Sequence, residues 1–112
     1  MIEITIKRNS NEDIIDFTIG GHAQAAEYGE DIVCAGVSSI VQTALFGLCK
    51  YLELEFEYKV EEGFISVRLN DNLAANKEVK AILETMLIGL EETKKEYSQY
   101  INFTIEGGGE YV

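Results

Sequence analysis

The chain contains a single histidine, His22, and two cysteines, Cys34 and Cys49. These residue types combine in nucleophilic catalysis, where an imidazole takes the proton of a thiol and later returns it to a leaving amine. His22 directly follows Gly20 and Gly21 at the end of an alternating apolar segment. Glycine allows a sharp turn there, and loops at strand ends often carry functional side chains. A surface histidine without a task is the alternative that this local pattern leaves open.

Cys34 lies where a helix is expected to begin. Apolar residues recur with helical spacing from Asp31 onward, and aspartate is a preferred N-cap residue. A thiol in the first helical turn faces unpaired N–H groups and the positive end of the helix dipole, which favour a thiolate. The same N–H groups could stabilise an oxyanion. The alternative is that Cys34 is a small buried hydrophobic residue, as free cysteines usually are.

Cys49 provides a comparison within the same expected helix. It lies fifteen positions after Cys34, near the helix C-terminus, where the dipole opposes a thiolate. At a rise of about 1.5 Å per residue the two cysteines would be about 22 Å apart, which is too far for a disulfide. We therefore assign Cys49 to packing and expect two free thiols in a reducing compartment.

Two further residues near Cys34 each have two interpretations. Asp31 either caps the helix or orients His22 and stabilises an imidazolium, as the third member of a catalytic triad does. Ser38 lies one turn beyond Cys34 on the same helix face. Its hydroxyl either forms a hydrogen bond within the site or donates to the carbonyl of Cys34. The sequence leaves both pairs of alternatives open.

The chain is strongly acidic, with 20 Asp and Glu residues against 9 Lys and Arg residues and a net charge of −11 over 112 residues. Nucleic acid carries the same sign, so direct binding to it is disfavoured, whereas a basic protein partner or substrate is favoured in encounter rate. Acidity that only maintains solubility is the alternative. The sequence contains neither a metal-ligand spacing nor a phosphate-binding loop, and we expect no metal and no cofactor.

No basic N-terminal region followed by an apolar stretch marks a secretory signal. The most apolar run, residues 32–54, is interrupted by polar side chains and lacks a flanking basic cluster. It therefore predicts a core helix rather than a membrane span. Together with the free thiols, these features predict a cytoplasmic protein that does not associate with membranes.

The apolar periodicities predict the element order ββαββαβ. Helical spacing marks residues 31–51 and 74–97 as the two helices. Because every strand has a polar face, we expect an α+β fold with one mainly antiparallel sheet and two helices packed on one face. The expected domain spans residues 1–106, and residues 107–112 are expected to form a flexible C-terminal tail.

Two strands carry more detailed expectations. In the second strand, the alternation of Ile15, Phe17 and Ile19 predicts that these three side chains face the core. The third strand is expected to cover residues 52–60, where apolar residues alternate with glutamates and a lysine.

Two short segments together resemble a known family. Gly21-His22-Ala23 is followed by residues 31–38, which read Asp-Ile-Val-Cys-Ala-Gly-Val-Ser. This pattern resembles the signature of the Prp family of ribosomal-processing cysteine proteases, and the resemblance extends over the whole chain in length and element order. It implies a bacterial cysteine endopeptidase that removes the N-terminal extension of large-subunit ribosomal protein number twenty-seven. Such a substrate is strongly basic, which suits an acidic enzyme.

The family resemblance also implies roles for particular residues. It makes Cys34 the nucleophile and His22 the general base, with supporting roles for Asp31 and Ser38. It further implies a homodimer.

The resemblance implies in addition that the loop between the histidine and the cysteine, residues 23–30, moves when substrate binds. Ala23, Tyr28, Gly29 and Glu30 are expected to belong to this loop, and the glycine gives it conformational freedom.

The competing hypothesis is a non-enzymatic module for ribosome assembly or protein binding. In that case the polar sheet face would bind a basic protein, and Cys34 would only pack. A thiol redox protein is disfavoured because no second cysteine lies close enough to resolve an oxidised Cys34.

Overall fold

In the part of the chain that the structure describes, five strands form one sheet. The computed structural model describes residues 1–21 and 28–107. Its elements are β1 (Ile2–Arg8), β2 (Ile14–Gly20), α1 (Tyr28–Phe46), a π-helical turn (Gly47–Tyr51), β3 (Glu57–Glu61), β4 (Phe64–Arg68), α2 (Asp71–Ala75), α3 (Lys77–Glu96), a 3-10 turn (Ser98–Tyr100) and β5 (Ile101–Gly107). His22, Ala23 and residues 108–112 of the predicted tail lie outside the described residues. The expected domain limit at residue 106 falls one residue before the end of β5.

The strands lie in the order β3-β4-β2-β1-β5. The neighbouring strands pair in antiparallel fashion except β1 and β5, which are parallel. The buried side chains of the strands point to one face, on which α1 and α3 pack against each other. This architecture confirms the expected α+β fold, its mainly antiparallel sheet and the placement of the helices on one face.

One stripe of α1 and of the turn that follows it is buried against the sheet. Its buried residues recur at helical spacing and are Val33, Val37, Val41, Ala44, Leu45 and Leu48. The segment Asp31–Tyr51 is long and apolar enough to cross a membrane by length and composition alone. Because its apolar stripe packs on the sheet, this segment serves as the core helix of the domain, as its interrupted polarity predicts.

The first residues of β2 depart from the predicted alternation. Ile14 is buried, whereas Ile15 is only partly buried although it still packs against the core, so the predicted alternation does not hold at the start of β2. The register between β1 and β2 shifts between Lys7 and Arg8. This bulge gives β2 one extra residue, and the side chains on its turn side therefore exchange faces. The two other predicted core residues of β2 are buried as expected.

β3 is shorter than predicted, because residues 52–56 form an irregular segment instead of a strand. Glu53 has a φ of 53°, a left-handed conformation that interrupts a strand. The backbone N–H of Leu54 donates to the carbonyl of Leu48 at 3.0 Å. This bond ties the segment to the end of the helical region, and the apolar residues within it pack against the core from outside the sheet.

The start of α1 also differs from the prediction. α1 begins at Tyr28, so Tyr28, Gly29 and Glu30 belong to the helix rather than to the predicted loop. Asp31 is therefore the fourth residue of α1 and not its N-cap. Cys34 is the seventh residue, beyond the first turn in which it was expected.

The predicted second helix is two helices. Asn76 has an extended backbone, with φ −63° and ψ 132°, which separates α2 from α3. Its side-chain oxygen accepts hydrogen bonds from the N–H groups of Glu78 and Val79 at 2.8 and 3.0 Å. Asn76 is thus the N-cap of α3, and this cap places the helix start three residues later than its apolar spacing predicts.

Candidate active site

Cys34 and Ser38 lie one turn apart on the same side of α1 and line a common cavity of about 170 Å³. Both side chains are half-buried. Gln42, one turn further along the helix, continues this polar stripe into the cavity wall. The cavity therefore presents a thiol, a hydroxyl and an amide at regular spacing along one helix edge.

The opposite wall of the cavity is formed by the end of the sheet. Gly20 is the last residue of β2 and Gly21 follows it, and residues 61–64 form the tip of the hairpin between β3 and β4. Gly63 has a φ of 76°, which suits a tight turn that few other residues would adopt. The wall thus combines exposed backbone from the glycines with two carboxylates, Glu61 and Glu62.

Gly21, which belongs to this wall, immediately precedes the predicted general base, His22, in the chain. It has a φ of 104°, a conformation that glycine adopts readily and L-residues rarely adopt. His22 follows Gly21 directly and lies outside the described residues. The described backbone does bring the residue before His22 into the cavity of Cys34.

The two thiols differ in their surroundings more than in their exposure. Both are free and half-buried. Both pack against the core, but Cys34 also lines the cavity, whereas Cys49 lies in the π-helical turn. Because Cys34 is the seventh residue of α1, its N–H has a helical hydrogen-bond partner, and the dipole effect falls off before it. The predicted placement of Cys34 beside the unpaired N–H groups of the first turn is therefore wrong. Access to the cavity is what separates Cys34 from Cys49.

Ser38 can be compared with other hydroxyl residues on the helices. The hydroxyl of Thr43 donates to the carbonyl of Ser39 at 2.7 Å, four residues earlier. Within the described residues, Ser38 makes no corresponding hydrogen bond to the carbonyl of Cys34. Of the two interpretations of Ser38, the structure thus favours the one in which its hydroxyl is available for a hydrogen bond within the cavity.

Asp31 is exposed on the first turn of α1. Its position within the helix removes the capping interpretation, and the triad interpretation depends on His22.

Across residues 1–21 and 28–107, no group of three or more His, Cys, Asp and Glu side chains is arranged to hold a metal ion.

Part of this site could not be found from sequence reasoning. Gln42 was not singled out, although its spacing of four residues from Ser38 places it on the same helix stripe. The Glu61–Phe64 tip carried no sequence signal, since its approach to Cys34 depends on β4 lying beside β2 in the sheet.

A thiol that opens into a cavity at the end of an α+β sheet can form a covalent acyl intermediate, which is the chemistry of the cysteine-protease class. Residues 1–102 match the family model described as cysteine protease Prp. The chain belongs to the Prp family of cysteine proteases. Family membership favours the enzyme over the non-enzymatic binding module.

Two bacterial relatives match most of the chain. The "Ribosomal processing cysteine protease Prp" of Bacillus subtilis strain 168 is 30% identical over 108 residues, which cover 93% of this chain and 96% of the relative. The protein of the same name from Staphylococcus aureus strain Mu50 is 35% identical over 104 residues, which cover 90% of this chain and 95% of the relative. Both relatives are therefore similar to this chain over nearly their whole length.

Solved structures show the same fold. The Prp protease of S. aureus in complex with a covalently linked product peptide superposes with a TM-score of 0.81 at 30% identity, covering 94% of this chain and 99% of that one. The same protease in complex with a substrate peptide gives a TM-score of 0.85 at 29% identity and the same coverage. SMU.848 from Streptococcus mutans, at 23% identity and a TM-score of 0.85, shares the fold over 96% of this chain and 95% of its own.

Proposed function

We propose that this protein removes the N-terminal extension of large-subunit ribosomal protein number twenty-seven, with Cys34 as nucleophile and His22 as general base. The observation that carries the proposal is the position of Cys34, half-buried and open to a cavity that also reaches the residue before His22. Relatives named as ribosomal processing proteases support the substrate class. A related structure holding a covalently linked product peptide supports covalent catalysis.

In the proposed reaction, the imidazole of His22 takes the thiol proton of Cys34. The thiolate Sγ then attacks the carbonyl carbon of the scissile peptide bond. The C–N bond breaks as the imidazolium donates the proton to the leaving amine, and the extension remains on Cys34 as a thioester. Water, deprotonated by the same imidazole, attacks the thioester carbonyl, and the C–S bond breaks. The imidazolium returns the proton to Sγ, and the extension is released with a free carboxyl group. No cofactor enters any step.

Asp31 and Ser38 have supporting roles in the same proposal. Asp31 orients His22 from the exposed first turn of α1. Ser38 donates a hydrogen bond from its hydroxyl to the substrate or to the oxyanion, together with the amide of Gln42. Loop movement on substrate binding would involve Tyr28, Gly29 and Glu30 only if the first turn of α1 unwinds, because α1 begins at Tyr28.

The acidic charge fits this substrate. A net charge of −11 attracts a basic ribosomal protein and repels nucleic acid, so the enzyme is proposed to act on the free protein rather than through RNA contacts. We place the reaction in the cytoplasm, away from membranes, where ribosomal proteins are made.

We further propose that the enzyme is a homodimer joined through a second groove, between α1 and α3. This groove measures about 700 Å³ and shares no lining residue with the cavity of Cys34. Its apolar and small lining residues include Ile40, Ala44, Gly47, Ile82, Met86 and Gly89. Apolar grooves that open to solvent often serve protein–protein contacts, and the small residues would allow another helix to approach closely.

Replacement of the nucleophile tests the proposed function. Cys34→Ala should abolish cleavage of a peptide that spans the end of the ribosomal extension, while the affinity for that peptide stays within about threefold of wild type, since one sulfur contributes little to binding. Cys49→Ala, the matched control, should retain most of the activity. Cleavage by the Cys34→Ala variant would require another nucleophile and would overturn the assignment.

Thiol reactivity provides a second test that does not depend on the substrate. We expect iodoacetamide to modify Cys34 at least about tenfold faster than Cys49 near neutral pH, because Cys34 opens into a cavity and has a proposed base nearby. Peptide mapping by mass spectrometry would follow both sites in one sample. Equal, slow rates at the two thiols would contradict the nucleophile assignment.

A further inference from the structure

The outer edge of β3 is an unpaired sheet edge that leads into the cavity of Cys34. Among the described strands, β3 is the first in the sheet and has β4 on one side only. All five of its residues are exposed. Its last residue, Glu61, lines the cavity together with Cys34. A peptide added along this edge would therefore end at the nucleophile's cavity.

The register of the hairpin determines which backbone groups of β3 face the open edge. Glu61 pairs with Phe64 across a two-residue turn, so these two form the hydrogen-bonded pair beside the turn. Hydrogen-bonded and non-hydrogen-bonded pairs alternate along an antiparallel ladder. The N–H and C=O groups of Lys59 therefore face β4, and those of Tyr58 and Val60 face outward.

The side chains of Tyr58 and Val60 extend the apolar face of the sheet beyond the cover of the helices. They pair with Val67 and Ile65, which are buried on the core face. Tyr58 is nonetheless 54% exposed and Val60 is 48% exposed. An added strand would pack its alternate side chains against these two residues as it paired with the backbone.

The opposite face of the same hairpin is acidic. Glu57 and Glu61 are exposed there, and Glu62 is exposed in the adjoining turn. Two basic side chains share the face: Lys59 is 3.8 Å from one of the Glu61 carboxylate oxygens, and Arg68, opposite Glu57, is 3.4 Å from a carboxylate oxygen of Asp16. This face would attract the basic residues of an added strand. The edge thus favours a segment with apolar residues on one face and basic residues on the other.

We infer that the substrate segment a few residues from the scissile bond adds to β3 as an extra strand, through the outward backbone groups of Tyr58 and Val60. This inference rests on the proposed function and specifies how the ribosomal protein is held. The three or four extended residues between the added strand and the scissile bond would span about 10–13 Å. The other described sheet edge, β5, contributes no residue to the lining of that cavity.

Backbone methylation of the substrate tests this inference with the unaltered enzyme. Two versions of the extension peptide would carry N-methyl groups on alternate residues, one on odd and one on even positions, all at least three residues from the scissile bond. A paired strand uses the N–H groups of alternate residues only, so one version should lose about tenfold or more in kcat/KM and the other much less. Equal losses, or none, would overturn strand addition while leaving the protease assignment intact. Failure to cleave the unmethylated peptide would overturn both.

A substitution in β3 tests the same inference by changing the enzyme instead of the substrate. Val60→Pro removes an outward N–H without removing a ladder hydrogen bond, and proline is tolerated at such edge positions. It should lower kcat/KM about threefold to tenfold, whereas Val60→Thr, which keeps the N–H and the branched shape, should stay within about twofold of wild type. The rate of iodoacetamide modification of Cys34 should be unchanged in both variants. Equal kcat/KM values for the two variants would contradict the inference.

Discussion

Gly21 lies against the backbone of Met1 where β2 ends. A Cβ atom on Gly21 would be 2.5 Å from the carbonyl oxygen of Met1 and 3.1 Å from the Cα of Ile2. These are backbone atoms, which cannot move aside as a flexible side chain can. The φ of 104° adds a second requirement for glycine. Because Gly21 lines the cavity of Cys34 and precedes His22, one backbone position serves both the fold and the site.

Gly21→Ala is therefore expected to damage the protein in two ways. The clash with Met1 and the strained φ should lower the free energy of unfolding by about 2 kcal/mol or more, measured by urea denaturation. The displaced backbone should also lower the cleavage activity of those molecules that remain folded. Gly20→Ala is the control, since its Cβ would meet only a Phe64 ring carbon at 3.8 Å and its φ is not left-handed. Similar losses in both variants would show that the contact with Met1 is not the cause.

Ser38→Ala should reduce catalysis without reducing stability. Ser38 lines the cavity, and within the described residues its hydroxyl donates no hydrogen bond to the carbonyl of Cys34, so its removal should leave α1 intact. We expect kcat/KM for the extension peptide to fall about threefold to thirtyfold, as for the loss of one hydrogen bond in a transition state. Ser39→Ala alters the next residue, which lines the α1–α3 groove instead, and should cleave normally. Normal activity in the Ser38→Ala variant would limit Ser38 to packing.

Thr85→Arg tests the proposed dimer. Thr85 is an exposed residue of α3 that lines the apolar groove, and an arginine there would place a charge where a second copy must pack. Sedimentation velocity should show a dimer for the wild type and a monomer for this variant. Glu96→Arg changes an exposed residue at the end of the same helix, outside the groove, and should leave the dimer intact. A dimeric Thr85→Arg protein would exclude the groove as the interface.

Sequence periodicity was sufficient to predict which residues share one face of a helix. Cys34 and Ser38 share a helix face because they are four residues apart, and α1 needs nothing else to bring them together. Local signals failed where two choices were almost equal in energy. Ile14 and Ile15 are both apolar, and only pairing with β1 decides which of them is buried. Asp31 is a good N-cap residue, yet α1 starts at Tyr28, so an intrinsic preference of about 1 kcal/mol is overridden by the rest of the fold.

The cavity wall opposite Cys34 illustrates a second limit. Glu61 is 27 positions from Cys34 in the chain, and it reaches the cavity because the hairpin β3–β4 pairs with β2. That pairing is a property of sheet order, which alternating apolar residues in each strand do not encode. The shared helix face of Cys34 and Ser38 could thus be predicted from the sequence, whereas the cavity wall opposite them could not.

Arg8 and Glu84 connect the end of β1 to α3. The guanidinium of Arg8 donates to both carboxylate oxygens of Glu84, at 2.7 and 3.0 Å, and to the carbonyl of Glu12 at 2.6 Å. The hydrogen bond with Glu84 raises the pKa of Arg8, partly opposed by burial. Two parallel charge-assisted bonds fix the direction of this pair in a way that a single bond cannot.

Arg8→Lys keeps the charge but removes the bidentate geometry, so it should lower the free energy of unfolding by about 1 kcal/mol. Because the pKa of Arg8 is higher in the folded protein than in the unfolded chain, its charge contributes stability that is fully present below the unfolded pKa. That stability is lost only as the pH rises through the folded pKa. Both lie in strongly alkaline solution, so the titration of Arg8 should add no slope to stability between about pH 6 and pH 9. Lys95→Ala breaks the pair with Glu92, which is exposed at both ends, and urea denaturation should detect no loss. If the two variants lost equal stability, the geometry of the Arg8 pair would have no special value.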